Sequence, residues 1–309
     1  MTGLDGLDRP DEVDALLDRI PVVAGRPRTV TELSGGLTNQ NLRVTTPDGD
    51  YVVRRFKGDT ELLDIDRDAE HDNTVAAAES GVGAPFVDYR RDLGVLVIGY
   101  VDGVTFDNDS FDDPGSLARA GRAIRQLHDG PRFTGDFDMF TRQARYLRTV
   151  HQRGFPLLDG YEDHADAFQR ARAALAVHPA PTVPCNNDLL AGNFVEDDRQ
   201  VWLIDYEYSG NNDACFELGN TSTECDLDDD QVAALVEAYA GSLDATMLAR
   251  VRLQALVSAY GWALWGAIQS AASELDFDFD GWSREHFEKA AHGFTADGYD
   301  ALLREVAGG

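Results

Sequence analysis

Residues 184–194 read Pro184-Cys185-Asn186-Asn187-Asp188-Leu189-Leu190-Ala191-Gly192-Asn193-Phe194. An apolar run, Val201 to Ile204, then leads into Asp205-Tyr206-Glu207-Tyr208-Ser209-Gly210-Asn211-Asn212. The order is a carboxylate, an amide five residues on, and a second carboxylate delivered by a strand. Those groups in that order suit transfer of a phosphoryl group to a hydroxyl. One carboxylate stays free of metal to orient and deprotonate the hydroxyl, while hard oxygen donors hold Mg²⁺ on the phosphates. Asp188 is therefore the expected base, with Asn193 and Asp205 as metal ligands. Glu207 follows Asp205 by two residues, on the same side of an extended segment. Alone, Asp-x-Glu after a strand would read as a polar turn; the loop upstream favours a role for Glu207 at a second ion.

The surrounding chain has 309 residues, room for one large domain or two lobes with real cores. It carries 55 acidic and 27 basic residues, a formal net charge of −28. Aspartate outnumbers glutamate 40 to 15, and Lys57 and Lys289 are the two lysines beside 25 arginines. That balance argues against a nucleic-acid groove, which needs a positive face. Disorder is opposed by a 43% hydrophobic content and by periodic segments. The acidity instead suggests a protein kept soluble in concentrated salt, where self-repulsion is screened. Cys185, Cys215 and Cys225 form no Cys-x-x-Cys pair, so buried thiols are expected rather than disulfides or zinc ligands. Met1 to Asp18 has no apolar signal core, and no run approaches a membrane span. A soluble, cytoplasmic protein is expected.

Along the chain, Asp11–Ile20 reads as a helix, followed by strands at Arg28–Leu33, Asn41–Thr46 and Tyr51–Phe56. Asp66–Ser80 suits a helix stopped by Gly81-Val82-Gly83, and Phe86–Arg90 with Val95–Tyr100 a second hairpin. Past Val101-Asp102-Gly103, helices dominate: one through Leu117, Gly121, Ile124 and Leu127, then Tyr161–Val177, Gln231–Leu243 and Met247–Ser273. The expected fold is α+β and bilobal. A small antiparallel β-rich nucleotide-binding lobe (residues 1–101) precedes a larger, mainly helical lobe (102–309) carrying catalysis and substrate binding, with nucleotide in the cleft.

Several residues outside the loop fit that plan. Between the first two strands, Ser34-Gly35-Gly36-Leu37-Thr38-Asn39 can bring backbone N–H groups to phosphate oxygens, although an ordinary turn looks the same in isolation. The phosphates also need a cation on the third strand, paired with a glutamate on the next helix. Arg54 and Arg55 must face opposite ways, and Arg54, with Glu70 as partner, is the one expected inward. Tyr100 and Val101 can offer backbone groups to an adenine edge, or serve as plain linker. His128, ending a helix, reads as a packing residue. Trp262, Trp265 and Gln269 share a helix face; such a stripe is usually core, yet two indoles beside a cleft also suit a quaternary ammonium.

Together these segments resemble the choline/ethanolamine kinase family, within the wider aminoglycoside-phosphotransferase-like kinases. The match spans Ser34–Asn39, Tyr51–Arg54, Ile65–Glu70, Asn187–Asn193, Ile204–Asn212 and the Trp262-x-x-Trp265 pair. Glu207-Tyr208-Ser209-Gly210 and the tryptophan pair are its more specific parts. The resemblance implies a protein-kinase-like fold, ATP with Mg²⁺, and O-phosphorylation of a small amino alcohol such as choline or ethanolamine. It also implies an ammonium pocket lined by Tyr208, Glu224, Trp262 and Trp265. One position departs from the family: Asn186 stands where a histidine usually scaffolds the loop, and its amide can both donate and accept. Runner-up readings are a kinase for thiamine, an aminoglycoside or another hydroxylated amine, and a catalytically silent nucleotide-binding protein.

Overall fold

The computed structural model describes residues 10–33, 39–57 and 60–308. The described residues fall into two compact units, one drawn from 1–58 and 84–102, the other from 59–83 and 103–309.

The first unit holds helix α1 (Pro10–Leu17) and strands β1 (Thr29–Leu33), β2 (Asn39–Thr46), β3 (Gly49–Phe56), β4 (Phe86–Arg90) and β5 (Val95–Gly99). They form one antiparallel sheet in the order β1-β2-β3-β5-β4. The alternation of β2 turns Leu42 and Val44 to one face, where Val53, Val95 and Val97 join them. Val13 and Leu17 of α1, with Ile20 and Val23, close that face into a core. Arg54 lies opposite Asn41 and Leu96 and is buried, whereas Arg55 is half-buried. The Arg43 guanidinium stacks 3.8 Å from the Tyr100 ring centroid, and Tyr100 N–H donates to Asp50 O at 2.9 Å.

The second unit begins with α2 (Thr60–Leu63) and α3 (Arg67–Ser80), then β6 (Val104–Thr105), α4 (Pro114–His128), α5 (Met139–Arg153) and α6 (Ala165–Val177). Next come β7 (Thr182–Cys185), β8 (Phe194–Glu196), β9 (Val201–Leu203) and β10 (Gly210–Asp213). It ends with α7 (Ala214–Glu224), α8 (Asp229–Ala240), α9 (Ala245–Ala272), α10 (Phe279–Thr295) and α11 (Tyr299–Gly308). β6, β8 and β9 form one small sheet, and β7 pairs with β10 in another. Aspartate caps set many helix starts: Asp66 for α3, Asp113 for α4, Asp138 for α5, Asp213 for α7 and Asp244 for α9 each accept an orphan N–H of the first turn. α9 is 28 residues long and buried on almost every side from Val257 to Gln269. α7 crosses it at backbone contact, since a Cβ on Gly219 would lie 2.6 Å from the Ala255 nitrogen.

The mixed α+β architecture matches expectation, with differences in the helical part. Residues 161–177 are not one helix: Tyr161–His164 is a 3₁₀ turn and α6 starts at Ala165. α5, α7, α10 and α11 have no counterpart among the expected elements. In α5 the inward positions Met139, Gln143, Tyr146 and Val150 have helical spacing, with Gln143 the polar member that interrupts the apolar stripe. α7 buries Glu217, Asn220, Thr221 and Ser222 together with Cys215, Phe216 and Leu218, so burial runs round the helix and no single apolar stripe stands out. Among the described residues, no helix is long and apolar enough to cross a membrane.

Candidate active site

The loop between β7 and β8 is held from three directions, all within the second unit. Asn186 is fully buried, and both ends of its side-chain amide are engaged. Its Nδ2 donates to Ile204 O at 3.1 Å and Asp205 O at 2.8 Å, and its Oδ1 accepts Asp188 N–H at 3.1 Å. It therefore links the loop to the Asp205 segment, a scaffolding role within an amide's reach. Asn187 adopts φ 67°, which β-branched and bulky residues resist. Its Nδ2 reaches Cys185 O and Tyr208 O, and Asn212 Nδ2 donates to its Oδ1 at 2.8 Å.

Below the loop lies Glu217 of α7, 0% exposed. One carboxylate oxygen accepts Asn186 N–H at 2.7 Å and the other accepts Asn187 N–H at 2.6 Å. Sequence reasoning missed this residue; the available signal was a glutamate four positions after a capping Asp213. His128 closes the arrangement from α4, with Nδ1 2.9 Å from the Tyr239 hydroxyl and Nε2 3.5 Å from Cys185 Sγ. Cys185, Cys215 and Cys225 are all buried free thiols.

Above the loop, carboxylates converge. Burial of its carboxyl, and then the like charges of Glu224, Asp205, Glu207 and Glu217, hold Asp188 well above the usual carboxylate range. Asp205 takes φ 66°, a left-handed conformation in a non-glycine residue at a candidate site. Asn193 Nδ2 donates to Asp188 O at 2.7 Å, which leaves Oδ1 as the amide's remaining acceptor. An amide oxygen and carboxylates are the donor types that would hold a hard divalent cation, and Asn193, Asp205 and Glu207 could supply them. Arg67 Nη1 bridges Glu70 at 2.6 Å and Glu207 at 3.3 Å. Asn73, on the same helix as Glu70, ties α3 to this segment by donating to Ser209 Oγ at 3.0 Å.

Tyr208 carries the segment on into an aromatic cluster. Trp265 Nε1–H donates to the Tyr208 hydroxyl at 2.8 Å, and the Tyr208 ring meets Trp262 edge-on at 5.0 Å. Trp262 Nε1–H donates to Asn220 Oδ1 at 2.9 Å, an oxygen that also accepts Ser258 Oγ–H. Trp262, Trp265 and Gln269 are buried, so the stripe is part of the core as well as a neighbour of the loop. Glu224, the last residue of α7, lies 3.1 Å from His286 Nε2. Asn220, Trp282 and His286 are further members of this cluster that the sequence did not single out.

Of the expected residues not yet placed, Asn39, Arg54, Tyr100 and Val101 belong to the first unit. Gly35, Gly36 and Thr38 lie outside the described residues, and Asn39 opens β2, buried. Arg54 sits in β3; Tyr100 and Val101, half-buried, follow β5. Glu70, expected to pair with Arg54, belongs to the second unit.

The model of the phosphotransferase enzyme family matches residues 29–253. Among solved structures, a choline/ethanolamine kinase family protein from Mesorhizobium loti is 32% identical, with a TM-score of 0.86 over 97% of this chain and 99% of that one. The choline kinase LicA from Streptococcus pneumoniae shares the fold at 22% identity and TM-score 0.79, over 92% and 99% of the two chains. Ethanolamine kinase 2 of Mus musculus is 29% identical over 79% of this chain and 70% of its own length.

Proposed function

This chain belongs to the choline/ethanolamine kinase family, within the phosphotransferase enzyme family, and we propose that it transfers the terminal phosphoryl group of ATP to the hydroxyl of choline or ethanolamine. That it is a phosphotransferase acting on an alcohol follows from the family; the amino alcohol is our reading. One observation carries it: the 2.8 Å hydrogen bond from Trp265 to Tyr208, three residues beyond Asp205. It joins the aromatic cluster to the carboxylate segment.

In this reading Asp188 accepts the hydroxyl proton, held in place by the loop that Asn186 and Glu217 fix. Asn193, Asp205 and Glu207 would hold Mg²⁺, whose charge offsets both the phosphates and the acid cluster. The aromatic faces of Tyr208, Trp262 and Trp265, with the charge of Glu224, would receive the ammonium head. Gly35, Gly36, Thr38, Asn39 and Arg54 are the proposed phosphate contacts, with Glu70 as the partner of Arg54. Tyr100 and Val101 are the proposed adenine neighbours.

ATP consumption measured against choline, ethanolamine, thiamine and an aminoglycoside tests the proposal. Turnover with choline or ethanolamine is expected. Preference for another amine, or turnover with none, would replace it with one of the runner-up readings.

A further inference from the structure

His286 is buried, 3% exposed, on α10. Its Nδ1 lies 3.0 Å from Trp282 O, one turn earlier, and its Nε2 lies 3.1 Å from Glu224 Oε1. Both partners only accept when Glu224 is ionised: a carbonyl oxygen has no proton, and neither has a carboxylate. A neutral imidazole has one N–H and cannot serve both contacts, whereas an imidazolium serves both. The ring also stacks on the Trp282 indole with centroids 3.7 Å apart, a face that favours a cationic partner. Trp282 in turn meets Trp265 edge-on at 5.2 Å, so the imidazole reaches the aromatic cluster through one intervening ring.

We propose that His286 is a positioning residue that holds Glu224 in an imidazolium–carboxylate pair and gives up its proton when a substrate ammonium takes the carboxylate. The inference rests on the amino-alcohol reading above. The exchange is one positive charge for another. Before binding, the ionised carboxylate of Glu224 faces the protonated ring of His286. Afterwards it faces the substrate's fixed positive charge, and the Nε2 proton passes to solvent. Nδ1–H stays on Trp282 O, so the ring keeps its position.

The surrounding charges agree with a ring that is protonated at rest. Burial opposes the charged form, but Glu224's charge and hydrogen bond and the Trp282 carbonyl outweigh it, leaving the imidazole's proton affinity above its ordinary value. Lys289, one turn further along α10, works the other way. Its ammonium is engaged by Asp226, just past α7, at 2.5 Å and by Glu285 at 2.9 Å. From α9, the indole of Trp265 faces Trp282.

The experiment uses choline, whose own charge does not titrate. Its KM should fall with rising pH, by up to about tenfold per unit below the imidazole's titration, and then level off. The KM for ATP should not follow. His286→Gln should give a choline KM independent of pH, and His286→Arg a pH-independent but higher one. A flat profile in the parent, or the same slope in His286→Gln, overturns the inference. Long-range ¹⁵N–¹H spectra of the ligand-free parent need no variant: both ring nitrogens should be protonated at neutral pH, with Nε2 losing its proton on adding choline. An unprotonated Nε2 at neutral pH overturns the pair. Absence of turnover with any amine overturns the substrate reading alone, and the imidazole spectrum still decides the state of His286.

Discussion

The Glu217 carboxylate accepts the Asn187 backbone N–H at 2.6 Å, at the residue where the candidate catalytic loop takes a left-handed turn. Its second oxygen holds Asn186 N–H, so one buried side chain satisfies two adjacent amides. Glu217→Gln keeps the volume but replaces one acceptor with a donor facing an N–H. We expect a loss of about 2 kcal/mol in stability, the range for a hydrogen bond to a charged group, together with a fall in turnover. Thermal denaturation and steady-state kinetics check this. An unshifted midpoint and unchanged turnover would show that the loop needs no anchor.

Asp188→Asn should abolish phosphoryl transfer while leaving nucleotide affinity nearly intact, because a base acts in the reaction step. It should also stabilise the ligand-free protein. The raised Asp188 carboxyl contributes stability below the ordinary carboxylate range. That contribution fades as pH climbs toward the raised value, since the folded state then holds a proton that the unfolded chain has released. At neutral pH the variant should gain roughly 1–2 kcal/mol, and its stability should slope less with pH than the parent's. Denaturant melts from pH 5 to pH 8 provide the comparison; parallel slopes would refute it.

Asp205→Ala should remove Mg²⁺-dependent nucleotide binding, and Glu207→Ala should weaken it less. Glu207 already shares Arg67 with Glu70, so its loss also takes one carboxylate from that guanidinium. Calorimetry with ATP, with and without Mg²⁺, reads both. Unchanged metal dependence in Asp205→Ala removes it from the ligand set.

Trp265 is both core and candidate wall, so its truncation has two consequences. Trp265→Ala should lower stability by about 3–5 kcal/mol, as for large aromatic deletions. Trp265→Phe keeps an aromatic face and deletes the bond to Tyr208. It should fold and raise the choline KM by the equivalent of about 1–2 kcal/mol, the range for a desolvated cation–π contact. The KM for ATP should stay put. A folded Trp265→Phe enzyme with an unaltered choline KM would make the indole core and nothing more.

The formal charge of −28 should make stability depend on salt. Lower ionic strength lengthens the screening distance and exposes the acidic surface to its own repulsion. Circular dichroism melts across a salt titration should show the midpoint falling as salt is removed. A midpoint constant down to millimolar salt would end the inference about a saline habitat.

The sequence by itself determined the order of chemical groups. Asp188, Asn193 and Asp205 are proposed from residue type and spacing over a short stretch, which phosphoryl transfer constrains. The five strands of the first unit were legible because alternation and turn residues act locally, as at Leu42, Val44 and the turn of Pro47 and Asp48. Tertiary structure decided what holds those groups. Glu217 lies 31 and 30 positions beyond the two loop amides it anchors, inside a helix that buries polar and apolar residues alike. The His286–Glu224 pair spans 62 positions. What the sequence could not show at Glu217, Asn220 and His286 is their polar partnership: each is buried beside groups distant in the chain, and such partnership leaves no mark on local pattern.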